Sequence, residues 1–246
     1  MLIVGLTGGI ASGKSTVSTR LSSTYSLTVI DADKIAREVV EPKKPAYNEV
    51  VKYFEPLVPN LLNEDGSLNR LELGKFVFQN KQHLTKLNSI VHPAVRKEIF
   101  IRILKAWFTL KKLVILDIPL LFESGMDKIC GLTLLVSCPR ELQLQRLLER
   151  NPELTLEDAE NRIRNQMSNE LKILKSDKVL KNDQDLKNLY DQIETVLKEI
   201  TPSTFKTYLY AFIPPVGALA AGITVLVRYF KNQFANKNEI KKIEYI

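Results

Sequence analysis

Residues 2–6, 27–30, 113–118, 132–136 and 179–180 are short, nearly continuous apolar runs, most of them bounded by turn residues. That is the pattern of strands buried on both faces of a parallel sheet. Between them, residues 16–24, 139–150 and 186–200 carry apolar side chains at helical spacing. Residues 33–110 form a long helical stretch punctuated by Pro42, Pro56, Pro59 and Asn63-Glu-Asp-Gly66. Pro139 falls in the first turn of its helix, where a missing N–H is harmless. Thr155-Leu-Glu-Asp158 reads as a capping box, with Asp a weaker fourth member than Glu, opening a polar, arginine-bearing helix to about residue 171. Strands separated by helical crossovers predict an α/β fold around a five-stranded, doubly wound parallel sheet.

Composition narrows this picture by exclusion. At 246 residues, 45% hydrophobic and 26% charged, the chain suits one large folded domain or one domain with insertions and is neither disordered nor collagenous. Two cysteines, Cys130 and Cys138, and two histidines, His83 and His92, are too few for a zinc finger or a disulfide framework, and they point to a reducing compartment. The first apolar run passes directly into glycines, as a strand does and a signal peptide does not. The net charge of +7 raises the question of nucleic acid or an anionic surface. Residues 206–246 hold six bases against two acids, however, while the first 205 residues hold 29 against 26. The excess is therefore mostly a property of the tail, and no nucleic-acid partner is expected.

The densest chemistry lies in Gly8-Gly9-Ile10-Ala11-Ser12-Gly13-Lys14-Ser15, a full GxxxxGK[ST] pattern placed after a strand and before a helix. Its glycines let successive backbone N–H groups curl around a polyphosphate, and the positive end of the helix adds to the attraction. Lys14 is expected to reach the β and γ phosphates and the Ser15 hydroxyl to bind Mg²⁺. Neither a DxxG switch nor an NKxD base-reading motif accompanies it. At the end of the second strand Asp31 and Asp33 stand two apart, either as caps of the helix running to Val40 or as an acceptor-side base. Asp117, at the end of an apolar strand, is either a loop cap or a carboxylate holding the Mg²⁺ shell through water. Arg140, Arg146, Arg150, Arg162 and Arg164 fall in one polar segment, read either as a lid over transferred phosphates or as a solvated face paired with nearby acids.

Five segments in this order, Leu6-Thr-Gly-Gly-Ile-Ala-Ser-Gly-Lys-Ser15, Ile30-Asp-Ala-Asp-Lys-Ile-Ala-Arg37, Ile90-Val-His-Pro-Ala-Val-Arg96, Asp117-Ile-Pro-Leu-Leu-Phe-Glu123 and Asp158-Ala-Glu-Asn-Arg-Ile-Arg-Asn-Gln166, resemble the motif set of the dephospho-CoA kinases. The resemblance covers about residues 1 to 200. It implies a P-loop NTPase core (1–32, 111–142 and 176–200), an inserted helical CoA-binding region (33–110) and a lid (143–175), together one kinase domain over 1–205. It implies transfer of the γ-phosphoryl of ATP to the 3′-hydroxyl of dephospho-CoA, with Mg²⁺, as the final step of coenzyme A synthesis. Position by position, Asp33 resembles the carboxylate that accepts the hydroxyl proton, with Lys14 beside it in catalysis. Gly8 to Thr16 resembles the ATP cradle. Arg37, His92 and Arg96 fall in segments lining the CoA side, and Arg146 and Arg150 at lid positions facing ATP. Asp117 and Lys172 depart from a strict family pattern. Two other readings fit the residues: a P-loop kinase for a nucleoside or sugar acid, and a membrane-tethered ATP-binding scaffold that organises partner enzymes.

The kinase motifs end before residue 200, and residues 207–227 form 21 consecutive uncharged positions with Tyr208 and Tyr210 at one edge and Arg228, Tyr229 and Lys231 at the other. As a helix they would measure roughly 31 Å, the thickness of a bilayer core, with aromatic and basic anchors at the interfaces. Pro214-Pro215 would kink or shorten such a helix. A kinked span, an interfacial anchor and a buried core helix all remain open. Residues 206–246 are expected to tether the chain to a mitochondrial outer or endoplasmic reticulum membrane, with the kinase domain facing the cytosol, where other enzymes of CoA synthesis are expected to associate with it.

Overall fold

The computed structural model describes residues 1–205, 222–227, 229 and 230. The chain divides into two compact units, one of Met1–Val29 with the chain from Ala106 onward, the other of Ile30–Lys105.

The first unit is built on the parallel strands that the apolar runs predict. Strand β1 (Leu2–Gly8) pairs with β3 (Leu113–Asp117) on one side and β4 (Leu132–Ser137) on the other, and β4 pairs with β5 (Lys178–Lys181), all parallel. With β2 (Thr28–Asp31) the sheet order is β2-β3-β1-β4-β5. The interiors of β1, β3 and β4 are fully buried, which is why their sequences run apolar without alternation.

Helices α1 (Lys14–Ser23) and α9 (Leu186–Ile200) cover the sheet. Leu189, Ile193, Leu197 and Ile200 recur at steps of four and three along α9 and enter one core with Val17, Leu21, Leu113, Ile115, Leu134 and Val136. Asp185 caps α9 by accepting the Asn188 N–H at 2.8 Å.

The Ile30–Lys105 unit is helical. It contains α2 (Ala32–Glu38), α3 (Pro45–Phe54), α4 (Arg70–Gln79) and most of α5 (Lys81–Phe108). Ala46, Val50 and Phe54, four apart on α3, meet Val58, Leu61, Leu73, Val77 and Ile90 in a core of their own. Helix α5 runs through Pro93, whose missing N–H leaves the Ser89 carbonyl without its intrahelical donor. Arg102 ties this unit together, pairing with Glu98 one turn earlier at 2.9 Å and with Glu38 of α2.

Two expectations change. The helix expected over 155–171 is two helices, α7 (Leu156–Arg164) and α8 (Asn169–Lys175), because Ser168 starts a new one by accepting the Leu171 N–H at 3.3 Å. The Thr155 box is also incomplete. Thr155 caps the Asp158 N–H at 3.1 Å, but the short Asp158 carboxylate returns to the Thr155 hydroxyl at 2.7 Å instead of the backbone.

Most of the C-terminal segment, including 207–221 and the proline pair, lies outside the described residues. Residues 222–227 are helical and mostly exposed. Among the described residues no helix is long and apolar enough to cross a membrane.

Phe54 is completely buried at the centre of the helical unit. Phe54→Ala is expected to cost about 3 to 5 kcal/mol of stability. Chemical denaturation followed by circular dichroism checks this, and a loss below 1 kcal/mol would mean that the core collapses around the site.

Candidate active site

In a parallel sheet the carboxyl ends of the strands share one edge, where ligands bind. The register brings Gly8 beside Val136, Leu6 beside Asp117 and Ser137 beside Lys181, so the loops after β1, β3, β4 and β5 converge there. The glycine loop follows β1 directly. Gly13, at φ 91°, caps α1 without any side chain capping its N–H groups, and no acid lies in the first turn. The helix therefore begins with donors and partial positive charge available to an anion.

The loop conformation demands glycine at identifiable places. A Cβ on Gly13 would lie 2.1 Å from Asn182 Nδ2, and one on Gly8 would lie 2.4 Å from Ser12 Oγ and 2.9 Å from the Val136 carbonyl. Ala11, by contrast, holds φ 58° with a side chain in place, a conformation that costs a non-glycine residue on the order of 1 kcal/mol.

Lys14 and Asp117 form an ion pair at 2.5 Å, with side chains 18% and 4% exposed. This is a charge-assisted bond in a site largely shielded from water. Asp117 is thus neither an exposed cap nor remote from the loop. Ser15 is exposed at the start of α1. Among the described residues no three His, Cys, Asp or Glu side chains could hold a metal on their own. A hydroxyl and one carboxylate do suit Mg²⁺, which keeps several waters and takes other ligands from nucleotide phosphates.

Three amide side chains support the loop, and the sequence assigns a role to none of them, although Gln166 closes the last of the five motif segments. Gln143 Nε2 donates to the Ile10 carbonyl at 2.9 Å and Asn182 Nδ2 to the Ser12 carbonyl at 2.8 Å, while Gln166 Oε1 accepts the Ile10 N–H at 3.0 Å. A signal exists for Gln143, a polar residue on the buried stripe of α6 (Arg140–Arg150) one turn before Leu147. Asn182 gives none beyond following a strand.

The two arginines expected at ATP differ. Arg146 is half-buried and donates to the Asn182 carbonyl at 3.1 Å, whereas Arg150 is exposed and reaches Asn151 at 3.3 Å. Burial pushes the Cys138 thiol up, with Arg146 opposing and Asp183 reinforcing the shift.

A groove of about 400 Å³ runs along α1, lined by Ser15, Thr16, Thr19, Arg20, Ser23, Thr24 and Tyr190. The Arg20 guanidinium stacks on Tyr190 at 4.3 Å there.

In the helical unit, Asp31 is a cap, accepting the Lys34 N–H at 3.0 Å. Asp33 and Arg37, four apart on α2, are exposed, with Ile35 buried between them. His92 and Arg96 have the same spacing on α5 and are likewise exposed. The Arg37 carbonyl accepts from Arg70 at 2.8 Å. A cavity of about 320 Å³ in this unit is lined by Glu38, Lys44, Pro45, Ala94, Lys97 and Arg102 among others, and not by Arg37, His92 or Arg96.

A glycine loop after the first strand of a sheet ordered in this way, with a lysine and a hydroxyl opening the next helix, defines a P-loop nucleotide-binding fold. The family profile described as dephospho-CoA kinase matches residues 2–188, and the chain belongs to that family, the ATP-dependent enzymes of the final step of coenzyme A synthesis. The dephospho-CoA kinase CAB5 of Saccharomyces cerevisiae is 52% identical over 239 residues, 96% of this chain and 98% of its own length. A dephospho-CoA kinase of Bacillus cereus is 46% identical over 199 residues, 80% of this chain and 96% of that protein. The solved structure of a dephospho-CoA kinase from Campylobacter jejuni is similar with a TM-score of 0.65 at 30% identity, covering 81% of this chain and 96% of that one.

Gly13→Ala is expected to lose about 1 to 3 kcal/mol, since it both forces a side chain into positive φ and displaces Asn182 from the Ser12 carbonyl. Thermal melts of this variant and of Asn182→Ala check the cause. Losses that simply add in the double variant would show that the two residues do not interact.

Proposed function

We propose that the residues of this dephospho-CoA kinase divide the reaction as follows. The loop from Gly8 to Thr16 cradles the phosphates of ATP, with Lys14 neutralising charge that moves onto the β–γ bridging oxygen as the bond breaks. Ser15 directly, and Asp117 through water, would hold Mg²⁺, which supplies charge neutralisation on the phosphate oxygens when bound. Asp33 accepts the proton of the acceptor hydroxyl. Arg37, His92 and Arg96 bind the acceptor's anionic groups, and Arg146 and Arg150 belong to a lid over residues 143–175.

The observation that carries this reading is the buried Lys14–Asp117 pair at 2.5 Å beside the uncapped start of α1. It gathers a cation, a carboxylate and free N–H groups at one point. Phosphoryl transfer needs positioning and charge neutralisation more than a strong base, so an exposed Asp33 suffices to orient the hydroxyl.

Asp33→Asn is expected to leave ATP binding nearly intact and to lower turnover by about 100- to 10,000-fold. Lys14→Ala should weaken both. CoA formation from dephospho-CoA and ATP, coupled to ADP release, reads the first effect, and equal turnover in Asp33→Asn would exclude the proton-acceptor role. Nucleosides and gluconate, offered in place of dephospho-CoA, separate this activity from that of other small-molecule kinases.

The tail is a second, separate part of the proposal. Ile223, Leu226, Val227, Tyr229 and Phe230 are more than half exposed on a short helical stretch. The match to the yeast relative covers 239 residues and that to the Bacillus cereus enzyme only 199, a difference close to the length of the tail. Apolar side chains flanked by bases suit a membrane interface, with the kinase domain on the cytosolic side of an outer mitochondrial or endoplasmic reticulum membrane. Carbonate extraction of the full chain should leave it in the membrane pellet, and a chain ending at Thr204 should be released. If both are released, the tether does not exist.

A further inference from the structure

Gln166 lies just beyond α7 and is half-buried. Its Oε1 accepts the Ile10 N–H at 3.0 Å, a contact across 156 positions of the chain. That bond fixes the orientation of the whole carboxamide, because a backbone N–H can be accepted only by the oxygen. The NH₂ group on the same planar carbon has two hydrogens to donate and no acceptor capacity. An oriented neutral donor is thereby installed at the phosphate loop, next to Ile10, whose carbonyl is itself held by Gln143 at 2.9 Å. The Ile10 N–H is therefore not available to an anionic ligand, and the nearest side-chain donor that replaces it is the Gln166 amide.

The backbone beside Gln166 is held by an unusual arrangement. The Met167 N–H donates to Glu123 Oε1 at 3.2 Å, and the same oxygen lies 3.4 Å from Lys172 Nζ. The Lys172 side chain is 1% exposed, and among the described residues its ammonium has no polar contact shorter than that ion pair. Burial lowers its pKa, with Glu123 opposing. Placing an ammonium in a dry site for one long ion-pair contact does not favour stability. What the contact does is hold Glu123 in position, and through Glu123 the residue adjoining Gln166. Ser168 fixes the other flank by capping α8.

We propose that Gln166 is a catalytic residue whose NH₂ donates to a terminal phosphoryl oxygen of the nucleoside triphosphate during transfer, with Glu123 and Lys172 as its positioning residues. In that transfer the bond from the γ phosphorus to the β–γ bridging oxygen breaks and one to the acceptor oxygen forms. The acceptor proton passes to Asp33, and Gln166 exchanges no proton. Charge in such a transition state lies on the equatorial oxygens, and a donor already oriented toward them needs no reorganisation. The inference rests on the loop from Gly8 to Thr16 being the ATP cradle.

Gln166→Glu tests it, since the carboxylate keeps an acceptor for the Ile10 N–H and the shape of the side chain but replaces the donor with an oxygen. CoA formation by the full chain should fall about a hundredfold in kcat, with the melting temperature within a few degrees of the parent. Should the added charge unfold the chain, Gln166→Met, of similar length and without a polar group, serves in its place and should show the same loss. Lys172→Met should lower kcat about tenfold or more while the KM for dephospho-CoA stays within threefold, and Lys172→Arg should recover most of that loss. A merely structural pair would lower the melting temperature and leave kcat per folded molecule unchanged. Turnover of Gln166→Glu or Gln166→Met within about threefold of the parent overturns the assignment. A parent chain that binds ATP but forms no CoA would instead overturn the acceptor reading, and one that does not bind ATP would overturn the cradle on which this inference rests.

Discussion

The glycine loop closes on itself with a single bond from the Ser12 N–H to the Gly9 carbonyl at 3.1 Å, and a loop proposed to offer its other N–H groups to a polyphosphate has few left to hold its shape. It has to be gripped by its carbonyl oxygens and by whichever donor points away from the ligand. Here the Ile10 and Ser12 carbonyls are taken by Gln143 and Asn182, and the Ile10 N–H by Gln166. The rest of the first unit follows from that requirement. Asn182 is where it must be because β5 is in register with β4 and its own N–H is bonded to the Ser137 carbonyl at 2.8 Å. Gln143 is where it must be because Leu147, one turn on, is fully buried. A slip of one residue in β5 would turn Asn182 to the opposite face and release the loop. Local glycine freedom makes the loop possible, but the sheet register makes it rigid.

The parts of this arrangement that were legible in the sequence are those written in consecutive residues. The loop from Gly8 to Ser15 could be placed between a strand and a helix because its pattern is consecutive, and the buried strands because a parallel sheet asks for apolar residues on both faces. The supports were not legible, because nothing local relates Ile10 to positions 133 and 156 residues away. An uncharged amide also leaves no mark of its role. Asp31 and Asp117 show two kinds of ambiguity. Capping and chemistry both use a carboxylate at a strand end, and only geometry shows Asp31 bonded to Lys34 and Asp117 to Lys14. Ser168 leaves no clear break in the pattern because Asn165 to Ser168 suits a helix interior tolerably well, and the break depends on where α8 must pack.

The helical unit separates stability from chemistry by the period of its helices. On α2 the buried position is Ile35, and the exposed ones two residues to either side are Asp33 and Arg37. On α5, Ile90 and Ile99 are buried while His92 and Arg96 are exposed. Its core of Val50, Phe54, Val77 and Ile90 is therefore assembled without any of the groups proposed to meet the acceptor. Arg102 complements that core. With Glu38 and Glu98 it joins α2 to α5 by charge, at positions where the ion pairs are only partly exposed and so less screened than surface pairs.

The distance in sequence between the phosphate loop and its supports also has a meaning for synthesis. The cradle leaves the ribosome well before its supports are complete, for the last of them, Asn182, lies 170 residues behind Ser12. At about 5 to 20 residues per second, roughly 10 to 30 seconds separate the two. For much of that interval β1 has neither β3 nor β4 beside it, and until its end the Ser12 carbonyl has no amide to hold it. A nascent chain thus carries the complete glycine motif long before the three amides that hold it in shape have been made.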